Sequence, residues 1–500
     1  MRRCIRSLSK AAVMNVQENF DPRPDERLGL REKRAIVIGV MVVMLLAAID
    51  QTIVTPAMPT IGSALGDTEY LPWIVTAYLV TATASAPLYG KISDSYGRRP
   101  VIAAAVIIFL LGSVISALAP TMLILIVGRA VQGIGGGGLL VLAQTVIGDT
   151  VPPRERAAYA GYISATWAIA SLAGPLLGGF FAQRWHWSLI FWVNIPLGIA
   201  ALFILVGPLK KLVVPSHRHR LDFVGGLLTL AATTTLMLAL TWGGGTYPWL
   251  SAPILSLLGG SVVLWLLFVF WLGRVEEPLI PLEVLRNRIV AAATLACFFG
   301  MGASLAVAVY VPIYLQAHLG LSVAASGVAL VAYIMGTTIG SAVIGKMVAH
   351  VPRYKYLAVG GYALAAVCLT ILALHSTTAS LFLTETLLFL AGFGMGSMFP
   401  IGTVTVQNAV DYRHLGVATA VLSFMRSLGS AIGVAAVGAI ALASGLPGLR
   451  EGATGNAALE LATASAFRDI FLAGAVISAL AALCFLALKE IPLRATVKGE

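Results

Sequence analysis

The sequence predicts an all-α polytopic membrane protein of fourteen transmembrane helices, arranged as two six-helix bundles with two further helices inserted between them. Three observations carry this. Of 500 residues, 58% are hydrophobic and 11% charged, whereas soluble domains hold about 25% charged residues, which excludes an ordinary soluble enzyme. The basic residues fall almost entirely on one side of the apolar runs, and the chain repeats itself at an offset of 255 residues.

A bilayer core of about 30 Å is crossed by roughly 20 apolar residues in a helix. Runs of that kind predict α1 (35–57), α2 (70–89), α3 (100–119), α4 (121–147), α5 (158–182) and α6 (187–208). A second series follows as α7 (222–242), α8 (252–273), α9 (289–311), α10 (325–347), α11 (356–374), α12 (380–407), α13 (415–444) and α14 (469–488). The expected organisation is a tail at 1–34, a first bundle at 35–208, a linker with α7 and α8 at 209–288, a second bundle at 289–490 and a tail at 491–500. The polar start of the chain has no short apolar core before a cleavage site, so no removable signal peptide is expected.

Alternating the loops between sides puts 28 of the 33 Lys and Arg residues on the side of both tails. Only Arg184, Arg450 and Arg468 fall opposite, and Arg129 and Arg426 lie inside spans. The positive-inside bias places both termini in the cytoplasm. It also accounts for the net charge of +11 without nucleic acid as a partner. Cys4, Cys297, Cys368 and Cys484 are far apart and show no metal-ligand spacing, so neither a zinc site nor a disulfide framework is expected.

The repeat pairs Gly90, Lys91 and Arg98 with Gly345, Lys346 and Arg353, and Gly161, Gly174 and Gly178 with Gly416, Gly429 and Gly433. Parallel repeats are a feature of transporters whose halves rock around a site near the bilayer midplane.

Charges inside spans mark where function is sought first, because an acid at a helix centre costs about 2.5–3.5 kcal/mol on insertion scales. Asp50 in α1 and Arg129 in α4 are at depths that let them meet in the outer half of the membrane, directly or through Gln132. Two readings are open, a proton site whose pKa Arg129 holds low and a fixed buried ion pair. Glu385 in α12 has a proton or substrate role, or an interfacial position. Arg426 in α13 binds an anionic group, balances an acid, or holds the halves in register through backbone carbonyls.

The loop after α2 contains Gly90, Asp94, Gly97, Arg98 and Arg99. Its acid can cap α3 or join Arg98 and Asp149 in an ion-pair cluster that latches one conformation. The alternative is a plain basic turn. In α5, Ala170, Gly174 and Gly178 recur every four residues around Pro175. That stripe suits close helix packing, with Gly336 and Gly340 of α10 as the expected partner across the halves. Gly133, Gly135 and Gly138 imitate a dinucleotide fingerprint but lie inside an apolar helix. Gly340 to Lys346 imitates a phosphate loop but has Met347 where a hydroxyl should hold magnesium. Neither an ATP site nor any other cofactor is expected, which leaves an ion gradient to supply energy. Gln51, Tyr78, Trp167, Phe298, Tyr310, Met395, Gln407 and Arg426 are candidate cavity residues, chosen for aromatic, soft, amide or charged groups at mid-span.

These motifs together resemble the major facilitator superfamily, and within it the fourteen-helix drug/proton antiporter branch. The stretch Asp50 to Pro59 is similar to that branch's first-helix motif, and Gly90 to Arg99 to the superfamily's signature loop. Arg129 with Gln132 resembles the α4 motif associated with proton coupling, and Ala170 to Gly179 the antiporter motif. The second-half copy of the loop departs by carrying Ala349 opposite Asp94, which makes the expected latch asymmetric. The resemblance implies the major-facilitator fold. It further implies a proton-coupled antiporter, not an enzyme, that exports lipophilic cationic drugs across a bacterial inner membrane by alternating access. Export of a siderophore, lipid or metabolite is the second reading, and a non-transporting receptor the third. The sequence is silent on any adaptor or outer-membrane channel.

Overall fold

A computed structural model describes residues 29–67, 70–211, 222–244, 246–444 and 457–493. Most of the amino-terminal tail with Cys4, the loop carrying Arg450, and the carboxy-terminal tail from 494 lie outside the described residues. All fourteen expected spans are helices long and apolar enough to cross a membrane. In the first half these are α1 (Leu30–Ile53), α2 (Leu71–Tyr96), α3 (Arg98–Ala117), α4 (Met122–Thr150), α5 (Pro153–Arg184) and α6 (Leu189–Trp192 with Asn194–Val206). The insertion is α7 (Phe223–Trp242) and α8 (Ala252–Leu272). The second half comprises α9 (Arg288–Leu319), α10 (Val323–Val348), α11 (Lys355–Leu374), α12 (Leu381–Met395 with Met398–Asn408), α13 (Leu415–Ala443) and α14 (Ala457–Ala487).

The ends follow local chemistry. Asn287 caps α9 by accepting from Ile289 N at 2.9 Å, and Gly97, at φ 89°, supplies the left-handed turn between α2 and α3. The first span is longer than expected. After Ile53 a 3-10 turn at Thr55–Ala57 leads into a second helical stretch, Met58–Leu65, giving a 35-residue path. Asp50 therefore lies close to the middle of that path rather than toward its outer end.

With fourteen spans, both ends of the described chain lie on one side, termed here the terminal side. Each half has its own apolar core, the first around Met44, Tyr89 and Phe109 and the second around Tyr314, Tyr362 and Phe485. The halves meet along two seams, α2 with α13 and α5 with α10. At the first, a methyl on Gly90 would stand 2.7 Å from the Gly416 carbonyl oxygen. At the second, a methyl on Gly161 would stand 2.9 Å from Ala342, and one on Gly345 would strike the Ala157 carbonyl. The missing side chains bring the backbones together, as small residues do between membrane helices. These contacts lie at the terminal-side ends of their helices, so the halves are closed there.

The expected glycine partners are corrected. Gly174 and Gly178 pack against Thr52 and Ile53 of α1, inside the first half, while Gly336 and Gly340 pack against Phe389 and Phe393 of α12, inside the second. The α5 to α10 seam exists, but it is built nearer the terminal side, at Ala157 and Gly161 of α5 and Ala342 and Gly345 of α10. The glycines of the false dinucleotide fingerprint serve packing too, with Gly133 against Tyr78, Gly135 against Phe109 and Gly138 against Tyr89.

The inserted pair packs beside the first seam, α7 touching both α2 and α13. Asp222 ties it down, accepting from Gly225 N at 2.8 Å, Trp271 Nε1 at 2.9 Å and Leu279 N at 3.1 Å. Leu279 and Ile280 then join Val417 and Val421 of α13 in one apolar cluster.

A bulky side chain at position 345 should hold the halves apart at both seams if they move as rigid bodies. Gly345→Leu is expected to increase maleimide labelling of a cysteine introduced at Ala420, which is buried under Gly90 in the other seam. Unchanged labelling would mean that the seams open independently.

Candidate functional site

Asp50, Arg129 and Gln132 come together in the first half. Arg129 Nη1 donates to Asp50 Oδ2 at 2.7 Å and to Gln132 Oε1 at 2.7 Å. Gln132 Nε2 donates to Asp50 Oδ1 at 2.7 Å, and Asn194 Nδ2 of α6 donates to the same oxygen at 3.0 Å. Ser113 of α3 accepts from both amides, at 2.7 and 3.2 Å, and Arg129 Nε donates to the Ile74 carbonyl of α2 at 3.0 Å. Five helices thus converge on one carboxylate that is 0% exposed. With its charge opposed by a guanidinium and its lone pairs filled by charge-assisted bonds, the carboxylate escapes the cost of isolation in an apolar core.

Tyr78 stacks on the Arg129 guanidinium at 4.5 Å, with Phe191 beyond at 5.7 Å, so Tyr78 belongs to this cluster and does not line a cavity. Gln51 stands beside Tyr78. Glu385 is half-buried in the other half and takes part in none of the described hydrogen bonds or ion pairs. Asn194 and Ser113 were not expected. Their signal in the sequence was faint, a neutral polar residue within an apolar run, and the structure shows each to be fully buried.

The ion-pair cluster at the signature loop forms within the first half and reaches the second through Asp94. Arg98 bridges Asp94, at very short range, and Asp149, at 2.7 Å, and also donates to Ser93 Oγ at 2.8 Å. Asp94 does cap a helix, but not α3. It accepts from Gly416 N at 3.0 Å and Val417 N at 2.8 Å, the first amides of α13 in the opposite half. Arg99 joins no described hydrogen bond or ion pair. The symmetry-related seam, with Ala349 in place of the acid, instead uses Arg156 Nη1, which donates to Gln407 Oε1 at 3.3 Å. Gln407 in turn donates to the Gln144 carbonyl at 3.3 Å and to Thr419 Oγ1 at 3.1 Å. Gln407 is therefore part of the closed seam.

In α5, the Ala170 carbonyl accepts from Thr52 Oγ1 at 2.9 Å. Pro175 is exposed inside the helix, and Gly179 faces open space. Of the other cavity candidates, Met395 is enclosed and accepts from Tyr333 at 3.4 Å. The Phe298 backbone packs on Gly429, Tyr310 donates to the Val434 carbonyl at 3.4 Å, and Trp167 packs on the outer core of the first half. A cavity of about 380 Å³ lies instead between α1 and α5, lined by Met41, Leu45, Tyr162 and Thr166 among others. None of the expected residues borders it, and Ile38, Tyr162 and Ile169 open it to the outer surface.

Comparison with known proteins matches this architecture. The Major Facilitator Superfamily model matches residues 40–434 and 292–500. This chain belongs to that superfamily. Multidrug resistance protein 3 of Bacillus subtilis is 33% identical over 407 residues, covering 81% of this chain and 79% of the relative. Multidrug transporter protein MdtP of the same organism is 32% identical over 413 residues, covering 82% and 76%. An uncharacterized MFS-type transporter of Mycobacterium tuberculosis, Rv1877, is 36% identical over 406 residues, and the matched region spans 81% of this chain but 58% of that longer protein. Two solved structures share the fold. The human organic anion transporter MFSD10 has a TM-score of 0.64 at 16% identity, covering 91% of this chain and 99% of its own. The proton:xylose symporter XylE has a TM-score of 0.64 at 15% identity, covering 94% and 98%. The superfamily and the fourteen apolar helices make this a multi-pass membrane protein of transporter type, not an enzyme.

Removing one partner of the buried pair leaves an uncompensated charge. Asp50→Leu is expected to destabilise the detergent-solubilised protein by about 3–5 kcal/mol. The double variant Asp50→Leu/Arg129→Leu should regain most of that loss in denaturant unfolding.

Proposed function

We propose that this superfamily member is a proton-coupled antiporter that exports lipophilic compounds, with the terminal side facing the cytoplasm across a bacterial inner membrane. The observation that carries the reading is the Asp50 site, a carboxylate in a sealed network whose donors come from α4 and α6 and whose walls include α2 and α3. Protonating Asp50 removes the charge that Arg129 opposes. The guanidinium would keep Gln132 Oε1, the Ile74 carbonyl and the Tyr78 face, so the pair has a second state that its surroundings partly satisfy. A proton bound in one conformation and released in the other shifts the equilibrium between them by its differential affinity.

The latch supports the alternating step. Asp94 binds the α13 amides only when the halves are closed on the terminal side. Outward release of cargo, protonation of Asp50 from outside and reopening toward the cytoplasm form one cycle consistent with that arrangement. The multidrug names of two relatives at 32–33% identity favour drugs and toxic lipophiles as cargo over a single metabolite. A cationic preference draws less support. Asp50 is fully enclosed and matched by Arg129, leaving no face for cargo, and Glu385 is the acid that remains for a cationic group.

Everted membrane vesicles provide the test. Wild type should accumulate ethidium when a proton gradient is imposed, and Asp50→Asn should abolish the gradient-driven component while the protein stays folded. Ethidium accumulation that survives a protonophore would overturn proton coupling, and an active Asp50→Asn variant would remove this residue from it.

A further inference from the structure

Arg98 and Arg129 are buried arginines that face carboxylates. Arg426, in the first half of α13, is 7% exposed and forms no ion pair among the described residues. Its bonds are to neutral groups and mostly long. Nη1 donates to Gln144 Oε1 at 3.4 Å, and Nη2 donates to the Met398 and Phe399 carbonyls at 3.4 and 3.5 Å and to Thr403 Oγ1 at 3.0 Å. Nε is buried with no hydrogen-bond partner. Carbonyl and amide dipoles solvate such a charge without cancelling it, and an unbalanced cation in the membrane interior is costly unless it has a use.

The place of Arg426 suggests the use. Gln144 belongs to α4 of the first half, whereas Met398, Phe399 and Thr403 belong to α12 of the second, so the guanidinium spans the seam. A cavity of about 20 Å³ beside it, bounded by Gln144, Arg156, Thr403 and Gln407, has room for no more than one water. When the halves part on the terminal side, Gln144 leaves with the first half. The charge then faces the opening cleft.

We propose that Arg426 is the recognition point for a carboxylate on a lipophilic cargo, uncovered when the halves separate and capped by Gln144 Oε1 when they close. This rests on the reading that cargo passes between the halves. Nη1 and Nη2 form the end of the planar guanidinium and present the two parallel donors that a carboxylate takes in bidentate fashion. Nη1 is freed when Gln144 leaves, and Nη2, besides its bond to Thr403, holds two contacts at or beyond 3.4 Å that a charged acceptor would improve upon. The Phe399 ring, 5.4 Å from the guanidinium carbon, gives the cargo an aromatic wall.

Two probes with one fluorophore and opposite charge test this on the purified full-length protein in lipid nanodiscs, with no gradient present. Dansylglycine carries a carboxylate and dansylethylenediamine an ammonium. Wild type should bind dansylglycine more tightly than the cation. Arg426→Gln should weaken dansylglycine by at least about tenfold and Arg426→Lys by less, with the cation unchanged in both. Gln144→Glu tethers a competing carboxylate against Arg426 and should weaken dansylglycine by a similar factor, which carries the test if Arg426→Gln does not fold. Equal affinity of wild type for the two probes, absence of dansylglycine binding, or dansylglycine binding unchanged in Gln144→Glu would overturn the proposal. Since binding is read without energy, loss of proton-driven ethidium transport would sink the antiporter reading and leave this result standing.

Discussion

In a bilayer no water is at hand to satisfy a buried polar group, so each charge inside the protein must bring its own partners. The Asp50–Arg129 pair is where this constraint acts most strongly. Its partners are drawn from α1, α2, α3, α4 and α6, and placing them fixes the relative height of those helices. The glycines of α4 follow from it, because Gly133 and Gly135 let α2 and α3 approach closely enough for Tyr78 and Ser113 to reach the site. The first half is thus assembled around an electrostatic centre. The second half is assembled around an aromatic and aliphatic core, with its buried cation, Arg426, at the edge facing the first half. A pair matched inside one half moves with that half. A cation held at the boundary changes partners whenever the halves move.

The two seams solve one geometric problem with different chemistry. Both bring backbones together through glycine, at Gly90 against Gly416 and at Gly345 against Ala157. At the first, Arg98 neutralises two acids and Asp94 completes the end of α13. The second relies on Arg156 reaching an amide and backbone carbonyls. A carboxylate at a helix amino terminus gains from both hydrogen bonds and the helix dipole, and this capping contact sits on the side where the inserted α7 and α8 also pack.

Much of this was legible in the sequence for a physical reason. Length and hydropathy specify a span almost alone, and a charge within such a span is conspicuous, so the fourteen helices and the meeting of Asp50, Arg129 and Gln132 could be read directly. Neutral polar residues are less conspicuous. Asn194 and Ser113 complete the Asp50 site, yet each reads as an ordinary residue of an apolar run. Glycine spacing in α5 correctly announced a close approach but not its partner, because Gly174 fits Thr52 as well as it would fit another glycine. Tyr78 and Met395 failed as cavity candidates because an aromatic or thioether at mid-span serves a packed core as readily as a lumen. The Asp94 cap was half legible: the residue type signals capping, but the helix it caps is 322 residues away.

The Asp94 contact has a genetic consequence. Its acceptor oxygens meet main-chain amides, yet a side chain at position 416 would strike both the Asp94 carboxylate and the Gly90 carbonyl, so the bond needs glycine there as well as the acid at position 94. An ion pair between two side chains can be lost at either end and restored by exchanging the charges. This contact has no such reciprocal partner, so it depends on two positions, the acid at 94 and the glycine at 416, and a change at one is not repaired by a change at the other.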